Sequence, residues 1–154
     1  MADNLFPTCY ETENASLLDM ADTAPVGYKS GLHFDYENGD FLQNGRKRIR
    51  DADGVESWRG WCKTCLLTER YACLAYNTDF GISTAEAFAA DSHEKAEALL
   101  TREITEALMA DPYGRTEYIE DIVFNWLQPD TVQVTVTVRG IDNVSIDVTA
   151  EITR

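Results

Sequence analysis

Between Val132 and Val138 every second residue is valine, and Thr131, Gln133, Thr135 and Thr137 fill the places between. A side-chain period of two fits a strand with one buried and one wet face, because successive Cβ atoms of a strand point to opposite sides. The same period flanks this run. Downstream, Val144, Ile146, Val148, Ala150 and Ile152 alternate with Ser145, Asp147, Thr149 and Glu151; upstream, Tyr118, Glu120, Ile122, Phe124 and Trp126 form one alternating set. Gln128-Pro129-Asp130 and Gly140-Ile141-Asp142-Asn143 read as the connecting turns. These runs predict an antiparallel meander whose apolar face must be covered by other elements.

Two helical patterns supply the cover. Trp58, Trp61, Cys62, Cys65 and Leu66 recur at the spacing of one helical face, with Arg59 and Lys63 on another. That helix begins near Val55, capped by Asp51 or Asp53. From about Ser92 to Ala110, Ala96, Leu99, Leu100, Ile104, Ala107 and Leu108 make a second stripe, while Glu94, Lys95, Glu97, Arg102 and Glu106 face water. Asp91 with Glu94 resembles a capping box, and Asp111-Pro112 with Gly114 ends the helix. A short helical piece falls near Ala85–Ala89. Ala72–Tyr76 reads as a short extended run or a tight connection, and Asn77–Gly81 as a turn.

Toward the N-terminus, His33–Leu42 places Asn38-Gly39 between two short alternating runs, a hairpin signal. Residues 1–28 contain five acids, two prolines and no Lys or Arg, so they read as a mobile or partner-ordered arm. The expected organisation is an arm over residues 1–30 and a single α+β domain over 31–154: the C-terminal meander packed against two main helices, with an N-terminal hairpin.

The 154 residues carry 27 acidic and 13 basic side chains, a formal charge of −14. The distribution is uneven: residues 1–45 sum to −7, residues 46–70 to +3 and residues 71–154 to −10. A nucleic-acid binder gains affinity by neutralising phosphates with Lys and Arg, so this balance argues against nucleic acid and against anionic membranes. Apolar stretches are only a few residues long, far short of the roughly 20 that cross a bilayer as a helix. The first residues form neither a basic nor an apolar secretory region, which predicts synthesis in the cytoplasm and reduced thiols at Cys9, Cys62, Cys65 and Cys73.

Catalytic signals are weak. Cys62-x-x-Cys65 with Cys73 and His33 or His93 lacks the second knuckle of a structural zinc site, and the pair sits mid-helix on the packed stripe, so these are packing thiols. Neither histidine has a flanking Ser or Cys motif of a triad. Among 27 acids some pair suits any glycosidase spacing by chance; Glu69 and Asp79 are the pair to test. No phosphate-binding glycine loop or dinucleotide fingerprint is present. No catalytic residue, metal ligand or cofactor is therefore assigned. A carboxylate-dependent cell-wall hydrolase and a soluble acidic protein-binding adaptor stay open as alternatives.

Two features exceed what folding alone demands. Glu69-Arg70 puts opposite charges at a helix end beside the basic Arg46-Lys47-Arg48-Ile49-Arg50. The final run, Val144–Ile152, spans about 30 Å as a strand and, as the last strand of a meander, is an edge open to a partner strand.

The ordered set Gly54-Val55-Glu56-Ser57-Trp58, Leu66-Leu67-Thr68-Glu69-Arg70-Tyr71, Tyr76-Asn77-Thr78-Asp79-Phe80-Gly81, the Leu99–Leu108 helix, Asp111-Pro112 and the Val-rich terminal strands resembles the small baseplate wedge proteins of contractile tails, or sheath initiators. The likeness is nearest to the short form in Gram-positive prophages and phage-tail-like bacteriocins, and it covers roughly residues 32–153. Members of the wider family often carry a Pro-Gly insertion before their Glu-Arg pair; none stands between Thr68 and Glu69. The resemblance implies a non-enzymatic baseplate component, assembled in a bacterial cytoplasm, with six copies per particle around the tail tube. It implies the tail sheath protein, baseplate wedge proteins and tube or hub proteins as partners. By the same resemblance Glu69 and Arg70 belong at the wedge contact, while the strand carrying Val144, Ile146, Val148, Ala150 and Ile152 receives extended sheath arms; Arg46, Arg48 and Arg50 of the basic island are further wedge-contact candidates on charge complementarity alone.

Overall fold

A computed structural model of the protein describes residues 27–154. The expected arm therefore lies outside the described residues, except for its last four positions. The element order is β1 (Gly31–Leu32), β2 (Phe34–Asp35), β3 (Asp40–Phe41), β4 (Asp51–Ala52), α1 (Gly54–Leu67), α2 (Ala85–Phe88), α3 (His93–Met109), β5 (Thr116–Gln128), β6 (Thr131–Gly140) and β7 (Ser145–Thr153). This is the α+β arrangement that the two periodicities predict.

The meander forms a three-stranded antiparallel sheet in the order β5-β6-β7. Val132, Val134, Val136 and Val138 of β6 and Ile146, Val148, Ala150 and Ile152 of β7 are all buried. Val144 stands just before β7 and packs against the same core. Each fully buried aliphatic side chain contributes roughly 1.5–3 kcal/mol relative to exposure, so this face anchors the domain.

The first strand departs from its expected phase. Tyr118 and Glu120 are exposed, and Ile119 turns inward with Ile122, Phe124 and Trp126. The reason is a register shift between Ile119 and Asp121, where the extra residue of a β-bulge reverses the side-chain alternation. A strict period of two cannot be read through a bulge.

Helix α1 packs chiefly on β7, and α3 packs on β5 and α1. Asp53 caps α1 by accepting the Glu56 amide at 2.8 Å, and Trp58, Cys62, Cys65 and Leu66 form its buried face. The cap of α3 is Ser92, which accepts the Lys95 amide at 3.4 Å, one residue later than the Asp91-Glu94 box. Either side chain is chemically able to cap; the extended backbone at Ser92 decides between them. Ala72–Tyr76 forms exposed turns rather than a strand.

At the N-terminal side, β2 and β3 make the expected hairpin and β1 pairs with β4. The Tyr28 ring lies 5.4 Å from the ring of fully buried Trp58, and its hydroxyl donates to the Ile141 carbonyl at 2.8 Å. A Cβ at Gly140 would run into Tyr28, Trp58 and the Arg115 carbonyl, so glycine there lets the β6–β7 turn close over this junction. Tyr28 thus belongs to the packed domain, inside the span expected for the arm.

Beneath the helices lies a charged pair that periodicity does not reveal. Asp111 and Arg115 are 8% and 2% exposed, joined by two side-chain contacts of 2.7 and 2.8 Å, and the Arg115 amide also donates to Asp111 at 2.8 Å. The guanidinium lies 5.5 Å from the Trp61 ring and 4.9 Å from that of Tyr113. An Asp111→Asn variant leaves that guanidinium buried without its counter-charge. It is expected to lose roughly 3–5 kcal/mol, read as a lower urea midpoint at unchanged slope; a loss below about 1 kcal/mol would show that the charge is not stabilised by Asp111.

Candidate assembly interface

Glu69 and Arg70 do not pair with each other among the described residues. Ile82 makes two backbone hydrogen bonds to the segment that follows α1: its amide donates to the Thr68 carbonyl at 3.0 Å, and its carbonyl accepts the Arg70 amide at 2.9 Å. This clasp closes the loop of residues 71–81. Gly81 is required in it, because its φ of +91° is left-handed and a Cβ would sit 2.7 Å from the Thr68 carbonyl.

The two side chains serve different ends of the clasp. Glu69 accepts the Thr84 hydroxyl at 2.9 Å and the Thr84 amide at 3.4 Å, just before α2. Arg70 donates to the Gly81 carbonyl at 3.1 Å and lies 3.4 Å from Glu103 and 3.8 Å from Glu106 of α3. Glu103 in turn accepts the Ser83 amide at 3.2 Å and lies 3.1 Å from Arg102. Arg70 is therefore a half-buried tie between the clasp and α3. Replacing it by alanine is expected to cost roughly 1–3 kcal/mol and to speed amide exchange in residues 71–81, with no such acceleration in β6.

Arg46, Arg48 and Arg50 are all exposed on a second hairpin turn between Gln43 and Ile49. Asn44 organises its tip by accepting the Arg46 and Arg48 amides at 3.0 and 3.1 Å, and Lys47 adopts a φ of 57°. Among the described residues none of these four cations forms an ion pair, so they stand together as a basic knob.

The sheet has two outer edges that differ in regularity. Between β5 and β6 the register shifts at three places, whereas β6 and β7 pair without interruption from Thr131–Thr153 to Arg139–Ser145. Bulges blunt an edge strand against further pairing, so β5 is the protected edge. The β7 ladder is framed by the Gly140 amide donating to Val144 at 2.8 Å and the Arg154 amide donating to Asp130 at 3.0 Å. Hydrogen-bonded pairs alternate along an antiparallel ladder. Ile146, Val148, Ala150 and Ile152 therefore bond to β6, while Ser145, Asp147, Thr149, Glu151 and Thr153 turn their N–H and C=O groups outward. Of the side chains expected at this site, buried Ile146, Val148, Ala150 and Ile152 and partly buried Val144 set the register, and the alternate residues carry the open main chain.

Proximity links the clasp and this edge. A cleft of about 130 Å³ is lined by Leu66, Leu67, Thr68, Glu69, Ile82 and Thr84 on one side and by Glu151, Ile152 and Thr153 on the other. Glu69 thus stands beside the C-terminal end of β7, a juxtaposition hidden in the sequence because 82 positions separate Glu69 from Glu151. The basic knob lines no part of that cleft.

Other candidates gain no support from this geometry. Glu69 spends its carboxylate on Thr84, Asp79 is exposed in the turn, and no hydrogen bond joins them among the described residues. His93 is exposed and stacks on Trp126 at 4.2 Å. No cluster of three or more metal-ligating side chains occurs among the described residues, and no described helix is long and apolar enough to cross a membrane. Cys62 and Cys65 are buried free thiols, and Cys65 accepts the Gly81 amide at 3.4 Å. Burial raises both above the ordinary thiol pKa, with Asp111 adding at Cys62 and the Gly81 amide opposing at Cys65. Only the thiolate reacts. In a Cys9→Ser background, a thiol reagent at pH 8 should label the exposed Cys73 promptly, and Cys62 and Cys65 only on unfolding; prompt labelling of all three would contradict their burial.

The family model described as contractile injection system sheath initiator matches residues 30–143, from the strand preceding the first hairpin to the turn before β7. No curated protein matches the chain. With about three quarters of its length matched, from Ser30 to Asn143, the chain belongs to the contractile injection system sheath initiator family.

Proposed function

We propose that this protein links the baseplate wedges to the first sheath ring and templates sheath polymerisation by β-strand addition at β7. Family membership carries the coarser statement: a structural component of a contractile injection system that works with sheath and baseplate partners at the tail baseplate. The finer reading rests on one observation, the uninterrupted register of β7 with its outward row of main-chain groups. Such an edge supplies affinity through backbone hydrogen bonds and register through alternate side chains.

In this reading six copies surround the tail tube or hub, and each offers β7 to an extended arm of the sheath protein. The wedge proteins meet the clasp region of Glu69 and Arg70 and the basic knob of Arg46, Arg48 and Arg50. The knob favours an acidic wedge surface, since complementary charge steers encounter and fixes register more than it adds affinity. Because Arg70 is tied to Gly81 and Glu103, its contribution there is to hold the loop of residues 71–81 in shape.

Thr149 gives a direct test. Its N–H points away from β6, so proline at this position removes an outward donor and spares the internal ladder, as prolines on edge strands do. Particles carrying Thr149→Pro should assemble baseplates and tubes that bear no polymerised sheath in electron micrographs. A Thr149→Val control, which keeps the N–H, should carry normal sheath. Full-length sheath on the proline particles would refute strand addition at β7.

A further inference from the structure

The charges on the open edge are arranged in a way that strand addition alone does not require. Of the five residues that turn their main chain outward, Asp147 and Glu151 are acidic and the other three are Ser145, Thr149 and Thr153. Both acidic side chains are exposed on the wet face. Asp147 accepts the hydroxyl of Thr137, its cross-strand partner on β6, through one carboxylate oxygen at 2.8 Å. Glu69 adds a third carboxylate at the cleft beside the end of β7. Arg139, the cation nearest the start of β7 by register, is engaged on the opposite side by Glu120.

The spacing has a specific consequence for two copies of this chain. A second β7 adding antiparallel with full overlap is centred on Thr149, which places Asp147 opposite the partner's Glu151 and Glu151 opposite the partner's Asp147. Shifting the pairing by four residues in either direction faces Asp147 with its own copy, or Glu151 with its own copy. Only the two intermediate registers avoid a direct clash, and they keep the acids as diagonal neighbours. Like charges directly opposite on a sheet destabilise the pairing. The edge is open to strands in general, whereas full overlap with its own copy and the four-residue shifts set like charges face to face.

We infer that Asp147 and Glu151 select the strand that β7 accepts, an extended protein segment with Lys or Arg at two positions four residues apart on its wet face, and reject a second copy of this chain. The inference rests on the reading of β7 as the sheath-accepting edge and names the chemistry of the arm. A segment with cations four apart fits in either direction, because the two acids are themselves four apart. The same pair keeps an unassembled pool of the protein from pairing edge to edge, the hazard of a long regular edge strand.

The test needs only this chain, because a D147K/E151K variant is itself a strand with two lysines four residues apart. Wild type and D147K/E151K should each run as single chains by light scattering after size exclusion. Their equimolar mixture should shift to the mass of two chains, and the shift should be lost as salt rises. A D147N/E151Q variant, which keeps an amide at 147 for Thr137 to bond, should pair with itself. A mixture that stays at the mass of one chain, or an amide variant that stays single, overturns the inference. Matched circular dichroism and thermal midpoints confirm that each variant is folded. If the mixture fails while wild type still docks the sheath protein, the charge rule falls and the strand-addition reading stands; if the mixture pairs and the sheath protein does not dock, the reverse holds.

Discussion

The β6–β7 ladder constrains nearly everything else in this molecule. Its even-numbered β7 residues put their side chains into the core and their amides onto β6, so the odd-numbered residues expose their side chains on the wet face and turn their main-chain groups outward. Buried face and open edge are two consequences of one register. A slip of one residue would send Ile146, Val148, Ala150 and Ile152 to water. The core thereby holds the edge in a defined phase, which is what a template for another strand needs.

Around that ladder the helices act as scaffolding with one special feature at each end. Trp58 of α1 meets Tyr28, Thr116 and Gly140, locking the chain's entry to the β6–β7 turn. At the far end of α1 the clasp of Thr68, Arg70 and Ile82 fixes the loop of residues 71–81 and brings Glu69 to the end of β7. Burying the Asp111–Arg115 pair is costly in itself, and the fold meets that cost with a bidentate contact and two flanking aromatic rings. It pins the start of β5 to the end of α3, where the helical layer passes into the sheet.

Much of this was legible in sequence because each signal was local and repeated. The valine alternation of β6 and β7, the stripes of α1 and α3 and the Asn38-Gly39 hairpin all depend on side chains within a few residues of one another. The failures have equally physical causes. The bulge at Glu120 adds one residue and inverts the phase of Tyr118, and an extended backbone at Ser92 moved the α3 cap past Asp91. Asp111 reads as a helix stop, and only the fold shows that it is the buried partner of Arg115. For the assembly interface, the edge was readable from chain order, whereas the partners of Glu69 and Arg70 lie 11 to 36 residues away and follow no period. The opposed charges at a helix end drew attention to that pair and the resemblance implied its role; geometry assigned Arg70 a tie within the fold and Glu69 a place beside β7.

Residue-resolved amide exchange along β7 tests the central claim most directly. In the isolated protein, Ile146, Val148, Ala150 and Ile152 should be protected, while Ser145, Asp147, Thr149, Glu151 and Thr153 exchange fast, an alternation with the period of the strand. Adding the sheath protein should protect the fast set and leave the slow set unchanged. Uniform protection in the isolated chain, or a fast set that stays fast in the assembled particle, would contradict an open edge that is filled by strand addition.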